Sequence, residues 1–270
     1  MQIVSVSSLK GGVGKSSVTL GLASAAMAEG LRTLVVDLDP HADATTGLGA
    51  SARGGADVGS VLNGRVARGG ARTAVVASAW IHRERGAERD AGRTPGTSRL
   101  DVLPGSASSS RLDRSTFRGR DLDRLTRALE GLEADYDLVL ADCPPNLSTL
   151  TRLAWAASAK VLSVAEPSLF SVAGTQRTMT AIGQFESSSR RAVPSAGVVV
   201  NMVDDGLPEH RHRVLELQEL FGALVVEPVI PDRPVWQRAQ GAAWPIHRWP
   251  GAEAADLARR YTAILHGLLA

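Results

Sequence analysis

The sequence predicts an α/β fold in which a single doubly wound, mostly parallel sheet is covered by helices on both faces. Short apolar runs alternate with helix-like stretches along most of the 270 residues. One early run, Leu31–Leu38, is continuously apolar, which is typical of a strand buried on both faces of a parallel sheet. A glycine-rich loop joins the first run to the first helix-like stretch. This alternation predicts parallel strands connected by helices.

The elements can be assigned in order along the chain. A strand over Gln2–Ser7, a helix over Ser16–Glu29 and the strand Leu31–Leu38 form a βαβ unit, with Gly30 ending the helix. Further strands are predicted at Leu100–Leu103, Asp137–Ala141, Val161–Val164, Ala196–Asn201 and Leu224–Val226. Further helices are predicted at Leu122–Gly131, Ser148–Ala157, Val172–Phe185, Arg211–Phe221 and Ala252–Leu269.

We expect one domain over residues 1–270. Residues 51–110 are rich in Gly, Ala, Ser and Arg with little periodicity, and residues 86–98 are predicted to form an exposed loop. The sequence starts directly on its first strand, so we expect no N-terminal helix-turn-helix extension.

Composition excludes several classes of protein. No run approaches the roughly 20 apolar residues that cross a bilayer. The N-terminus lacks the charged and apolar regions of a signal peptide. A single cysteine, Cys143, excludes an intramolecular disulfide framework and a paired-cysteine metal site. These features predict a cytoplasmic protein.

The glycine-rich loop Lys10–Ser17 has the composition of a phosphate-binding loop. Its glycines allow several backbone N–H groups to face one anion, and the helix that follows contributes its polarised N-terminus. We expect Lys15 to reach the β- and γ-phosphates and Ser16 to bind Mg²⁺. The usual pattern has glycine where Leu9 stands, and Lys10 is an additional lysine. Two of only three lysines in the chain therefore lie in this loop.

The string KGGVGKSS resembles the deviant Walker A motif of the ParA/MinD superfamily, a group of P-loop NTPases. The resemblance implies ATP and Mg²⁺ as cofactors and ATP hydrolysis as the activity. It also implies a homodimer that encloses two ATP molecules, in which Lys10 contacts phosphates across the interface. The nucleotide-binding residues implied in the loop are Lys10, Gly11, Gly12, Val13, Gly14, Lys15, Ser16 and Ser17.

Carboxylates follow two of the predicted strands. Asp37 and Asp39 end the strand after the first helix, where ligand sites of such sheets occur. By resemblance, Asp39 positions the attacking water and acts with Lys10 and Lys15 in catalysis, while Asp37 supports the metal shell. The run ending in Asp142 resembles a Walker B strand, which makes Asp142 an outer Mg²⁺ ligand.

The next two residues of interest differ from the family pattern. His41 and Asp43 stand where Gln and Asn are usual. The assignment of the hydrolysis machinery therefore rests on Asp39, with Asp43 as the next candidate.

The base-binding residues are inferred from two loops. In the family, an Asn at the position of Asn201 and the loop that contains Pro231 flank adenine. The spacing of Asn201 and Asp204 also occurs in guanine-binding proteins, but these normally carry Lys where Met202 stands. The sequence favours ATP, with GTP as the alternative.

The ParA branch fits the sequence best among the relatives. One cysteine cannot ligate an iron–sulfur cluster, and the C-terminal helix has no lysine and no Phe or Trp near its tip, unlike a MinD-like membrane helix. The segment Glu166–Gly174 also matches ParA proteins. The resemblance implies a nucleoid-associated partition ATPase that acts on plasmid or chromosome DNA.

Two kinds of partner follow from this resemblance. One is nonspecific double-stranded DNA, and the other is a ParB-like centromere-binding protein. The candidate DNA contacts are arginines in the C-terminal part of the chain, namely Arg211, Arg213, Arg233, Arg238 and Arg248. The alternatives left open are a ParA-like positioner of another cargo and a MinD-like membrane-associated ATPase.

Overall fold

The computed structural model describes residues 1–52, 54–81, 98–113, 115 and 117–270. Within these residues one eight-stranded sheet forms the centre of the molecule. Its strands are β1 (Gln2–Ser7), β2 (Arg32–Asp37), β3 (Val76–Ala77), β4 (Arg99–Leu103), β5 (Leu138–Asp142), β6 (Lys160–Ala165), β7 (Ser195–Val200) and β8 (Val225–Val226).

The strand order is β3-β4-β2-β5-β1-β6-β7-β8. All pairs are parallel except β3 with β4. The chain moves outward from β1 in one direction through β2 and β4, and later in the other direction through β6, β7 and β8. The carboxyl edge near β1 is therefore the topological switch point at which such sheets bind ligands.

The helices of the described residues lie on both faces of this sheet. They are α1 (Lys15–Ala28), α2 (Asp43–Gly47), α3 (Val58–Leu62), α4 (Ser110–Asp113), α5 (Arg124–Leu129), α6 (Thr149–Ala157), α7 (Leu169–Ser189), α8 (Pro208–Phe221), α9 (Pro234–Gly241) and α10 (Ala252–Leu269).

Alternate residues of the strands face different helices. On β2, Val35 joins the apolar cluster that contains residues of α1, α9 and α10. Its neighbours Leu34 and Val36 join the cluster that contains residues of α3, α5 and α6. This alternation confirms the predicted doubly wound α/β fold, because each face of the sheet has its own apolar layer.

Helix α10 packs on α1 through its apolar side. Tyr261 is fully buried, and a Cβ atom at Gly21 would lie 2.2 Å from the Tyr261 ring, so only glycine permits this approach. Leu257, Ile264 and Leu265 are buried beside it. Within the described ranges, no helix has the length and apolar character needed to span a membrane.

The predicted strands and longer helices are present, with shifts of a few residues at their ends. The sequence did not predict the two-residue strand β3, the short helices α2, α3 and α4, or the helix α9. The predicted loop 86–98 lies outside the described residues except for its last residue, Ser98, which is buried.

Candidate nucleotide-binding site

The glycine-rich loop connects β1 to α1 at the switch point of the sheet. Gly12 and Gly14 have φ angles of +82° and +85°, in the left-handed region that glycine adopts without strain. At Gly14 there is also no room for a side chain, because a Cβ atom would lie 2.2 Å from Asn201 Nδ2 and 3.0 Å from Met202 Cε. The loop conformation thus depends on glycine at this position for two reasons.

The two loop lysines occupy different environments. Lys15 is 6% exposed, and its Nζ donates to the backbone oxygen of Lys10 at 3.5 Å. Lys10 instead extends toward the start of α7, where its Nζ forms an ion pair with Glu166 and donates to Ser168 Oγ at 3.1 Å. Lys15 therefore faces the loop itself, whereas Lys10 is held by the neighbouring β6–α7 connection.

Helix α7 begins in a way that accommodates Lys10. Ser168 is its N-cap, and its hydroxyl accepts a hydrogen bond from Ser171 N. A Cβ atom at Gly174 would lie 3.3 Å from Lys10 Cβ, so the glycine keeps this approach open. The sequence reading noted the Glu166–Gly174 segment only as a match to ParA proteins. It did not identify Glu166 as the partner of Lys10.

The predicted magnesium residues come together beneath the loop. Ser16 Oγ donates to Asp142 Oδ2 at 2.6 Å, and Thr19 Oγ1 donates to Asp142 Oδ1 at 3.0 Å. Asp142 pairs in register with Asp37 on the adjacent strand β2. Both carboxylates are fully buried. Thr19 was not predicted, although its position one helical turn after Ser16 was a usable signal.

Asp37 is held by the loop that follows β2. Its Oδ2 accepts from Thr45 N and Thr45 Oγ1 at 2.7 and 2.6 Å, and its Oδ1 accepts from Asp39 N at 3.2 Å. Burial raises the pKa of Asp37. Burial, followed by repulsion from Asp37, raises the pKa of Asp142.

These observations fit a magnesium site. Two adjacent buried carboxylates, whose pKa values are both raised chiefly by burial, are stabilised as anions by a nearby cation. The Ser16 hydroxyl and the Asp142 carboxylate offer oxygen atoms of the kind that Mg²⁺ prefers, and Asp37 on the adjacent strand adds negative charge. The three residues predicted for the metal thus form one contiguous group.

Asp39 lies at the tip of β2 and is 7% exposed. Its Oδ1 accepts from the backbone N of His41 at 3.0 Å and pairs with His41 Nδ1 at 2.9 Å. The hydrogen bond that the imidazole donates to Asp39, followed by the negative charge of Asp39, raises the pKa of His41. Because His41 stands where the family has Gln, a titratable imidazole contacts Asp39, the predicted hydrolysis residue. Asp43, the other residue that differs from the family pattern, begins α2.

The base-binding candidates lie on the other side of the loop. Asn201 is 2% exposed and donates from Nδ2 to Val13 O at 3.0 Å. Pro231 is buried and pairs with Val203 in an isolated parallel bridge. Asp204, the alternative guanine-reading residue, is exposed and its Oδ1 accepts from Gly206 N within a turn.

The five candidate arginines are spread over three elements. Arg211 and Arg213 lie on α8, where Arg213 forms ion pairs with Glu209 and Glu216, both at 2.7 Å. Arg233 is the N-cap residue of α9, and Arg238 is an exposed residue of that helix. The fifth, Arg248, ends the 3₁₀ turn Ile246–Arg248. Arg233 and Arg238 therefore both belong to the α9 segment. The charge of Arg213 is neutralised by the two glutamates of its own helix.

A phosphate loop at the switch point of a parallel sheet, with a carboxylate at each of two adjacent strand ends, defines a P-loop nucleotide-binding protein. The AAA domain family matches residues 1–194. The chromosome partitioning protein ParA of Caulobacter vibrioides is 30% identical over 235 residues, which span 86% of this chain and 80% of that protein.

Two further comparisons extend over the whole chain. The sporulation initiation inhibitor protein Soj of Bacillus subtilis is 26% identical over 269 residues, covering 97% of this chain and 98% of Soj. A solved structure of cobyrinic acid a,c-diamide synthase from Mycobacterium smegmatis, with bound ADP and magnesium, superimposes with a TM-score of 0.76 at 22% identity. That superposition covers 100% of this chain and 94% of the synthase, and it shows a shared fold.

The chain belongs to the AAA domain family and to the ParA/MinD superfamily of deviant Walker A proteins, in which it is similar to ParA and Soj. This confirms the resemblance predicted from the loop Lys10–Ser17.

Proposed function

We propose that this chain is a ParA-like partition ATPase. It binds ATP with Mg²⁺, forms a dimer, binds duplex DNA without sequence preference, and hydrolyses ATP to segregate plasmid or chromosome DNA. The observation that carries the proposal is the position of Lys10, the second lysine of the loop. Its side chain extends toward Glu166 and away from Lys15, next to the exposed Gly11 and Gly12.

The phosphates of ATP are held by the loop, by the N-terminus of α1 and by Lys15. The buried position of Lys15 and its contact with Lys10 O place its ammonium inside the loop curvature. Ser16 and Asp142 hold Mg²⁺, with Asp37 behind them, and the metal supplies charge neutralisation at the phosphate oxygens. Their existing hydrogen bond of 2.6 Å supports this assignment.

Adenine is bound between the loops of Asn201 and Pro231. The Asn201 side chain already touches the phosphate loop through Val13 O, and Asp232 N donates to Val203 O at 2.9 Å, which ties the two loops together. Asp204 caps its own turn instead of facing this region. This favours ATP over GTP.

Hydrolysis depends on Asp39. It is a nearly buried carboxylate at the strand tip next to the metal group, and its backbone N is fixed by Asp37. A carboxylate in this place can orient a water molecule toward the γ-phosphate. We assign it this role together with Lys15 and Lys10.

The dimer forms through the loop surface. In this structure Lys10 is neutralised by Glu166, so it contributes to binding only when it exchanges this partner for the phosphates of a second subunit. An ATP bound by the facing subunit provides that attraction, whereas ADP lacks the γ-phosphate. Dimerisation therefore follows the nucleotide state.

DNA binding depends on the arginines of the C-terminal part, among which we favour Arg233 and Arg238. Both are in the α9 segment, whose Gln240 Nε2 donates to Ser17 Oγ at 2.9 Å. This hydrogen bond connects the helix to the last residue of the phosphate loop. Two copies in a dimer double the number of phosphates that are neutralised.

We further propose that a ParB-like protein is the partner and that the protein works at the nucleoid. A membrane-associated role is less well supported, because the apolar side of α10 is buried against α1. A helix that uses its apolar side for the core has none to insert into a bilayer surface.

The nucleotide assignment is tested by Lys15→Ala. We expect the affinity for a fluorescent ATP analogue to fall at least 100-fold, because the buried loop cation is lost. Lys160→Ala is the matched control, since Lys160 is the one lysine outside the loop and donates to Leu268 O at 2.8 Å. Unchanged affinity in Lys15→Ala, with normal far-UV circular dichroism, would remove the assignment.

A further inference from the structure

A groove of about 580 Å³ is lined by residues of α6, of the C-terminal half of α7 and of the segment that precedes α5. Part of its floor is apolar and is formed by Phe117, Leu147 and Phe185. Phe117 is held in place by the guanidinium of Arg124, which lies 4.4 Å from the ring centroid. The volume is within the range of sites that bind ligands, and an apolar floor that faces solvent marks an interaction surface.

The rim of the groove is cationic. Arg118, Arg152 and Arg191 line it, and none of the described residues that line it is acidic. Arg191 is paired with Asp123 at 2.6 Å. Arg118 and Arg152 have no hydrogen bond or ion pair through their side chains to the part of the chain that the structure describes. Two guanidinium groups are thus available to carboxylates.

We propose that this groove, the α6–α7 groove, binds an acidic segment of a partner protein that also carries apolar side chains. The unpaired arginines match carboxylates, and the floor matches leucine- or phenylalanine-like side chains. Duplex DNA satisfies the first property but not the second, because its phosphates are accompanied by no exposed apolar side chain. This inference does not depend on the DNA-binding proposal.

A segment bound in the groove would also contact the connection between β5 and α6, which borders the phosphate loop. Leu147, which is 38% exposed, lies five residues after Asp142 in the connection that leads to α6. Pro145 in the same connection is the neighbour of Gly11, with 3.9 Å between Pro145 Cβ and a Cβ built at Gly11. A segment docked against Leu147 therefore contacts the connection that borders the phosphate loop.

The test is fluorescence anisotropy with three fluorescein-labelled octapeptides on the full chain. One alternates Glu and Leu, one alternates Lys and Leu, and one alternates Glu and Ser. We expect saturable binding of the Glu–Leu peptide alone, and at least tenfold weaker binding to the double variant Arg118→Glu with Arg152→Glu. Arg120→Glu is the matched control, because Arg120 is exposed in the same turn but does not line the groove.

A second variant keeps the test valid if the charge reversals disturb folding. Gln184→Trp adds bulk from an exposed position on the groove wall, so it should block the Glu–Leu peptide without affecting the core. Absence of Glu–Leu binding at millimolar concentration, equal binding of the Lys–Leu peptide, or equal affinity for all variants would each overturn the proposal. Loss of duplex DNA binding in the double variant, without loss of peptide binding, would assign the groove to DNA instead.

Discussion

The side chains of Gln240 on α9 and Ser17 on α1 are joined by a hydrogen bond of 2.9 Å, in which Nε2 donates to the hydroxyl. Ser17 is the last residue of the phosphate loop, and Arg238 lies two residues before Gln240. The hydrogen bond links the first turn of α1 to the helix that carries the two arginines proposed to bind DNA. It is the contact through which we propose that nucleotide binding changes the position of these arginines.

We predict that the double variant Arg233→Ala with Arg238→Ala binds duplex DNA more weakly but still dimerises with ATP. A dimer loses four guanidinium groups, so the slope of log affinity against log salt should fall by about 3 to 4. Electrophoretic shift of two unrelated duplexes at several salt concentrations measures this slope. Arg213→Ala is the control, because Arg213 is already neutralised by two glutamates. A wild-type slope in the double variant would exclude these arginines as phosphate contacts.

We predict that Gly14→Ala is more destabilising than Gly12→Ala. Both glycines have φ near +80°, so the backbone strain is similar, at about 1–2 kcal/mol. Only at Gly14 would the new methyl group strike Asn201 and break its hydrogen bond to Val13 O, which adds about 1 kcal/mol. Urea unfolding of the nucleotide-free variants measures the difference. Equal free energies of unfolding would show that Asn201 does not pack as described.

We predict that kcat is lower at acid pH because His41 is then protonated. The pKa of His41 is raised by Asp39, so the imidazole stays protonated to a higher pH than the usual value of about 6.5. The imidazolium holds Asp39 Oδ1 at acid pH, and this ion pair is lost as the pH rises through the raised pKa. Asp39 is then free to orient water, so kcat should rise several-fold across this interval.

The variant His41→Gln tests that prediction by keeping a polar side chain that does not titrate. Its kcat should be flat over the same interval at saturating ATP. His212→Gln, a change at an exposed histidine on α8, should keep the wild-type profile. An unchanged acidic limb in His41→Gln would assign the titration to another group.

The sheet and the phosphate loop could be predicted because their signals are local. A buried parallel strand is a short apolar run, and the loop Lys10–Ser17 is contiguous in sequence. Strand β3 has only two residues and exists through its antiparallel pairing with β4, so no local pattern marks it. Helix α9 has few apolar residues and begins at Pro234 in a proline-containing segment, which reads as a loop from sequence alone.

Contacts between distant residues could not be predicted in the same way. Lys10 and Glu166 are 156 positions apart, and their ion pair exists only because β1 and β6 are adjacent in the sheet. Similarly, the sequence analysis named Arg213 as a candidate DNA contact, whereas α8 places Glu209 one turn before it and Glu216 one turn after it, and both pair with its guanidinium. Motifs predicted the types of functional group, and topology determined which groups meet.

The central claim, that ATP joins two subunits through the loop surface, is tested most directly by light scattering with ATP and Mg²⁺. Gly11 is exposed, and a Cβ atom there meets nothing closer than 3.9 Å, so Gly11→Val should fold and bind ATP. Gly267→Val is the control at a glycine that is also open to solvent. We predict that the wild type and Gly267→Val reach twice the 28.4 kDa monomer mass, whereas Gly11→Val stays monomeric. A wild type that remains monomeric at saturating ATP, or a Gly11→Val variant that dimerises normally, would contradict the account.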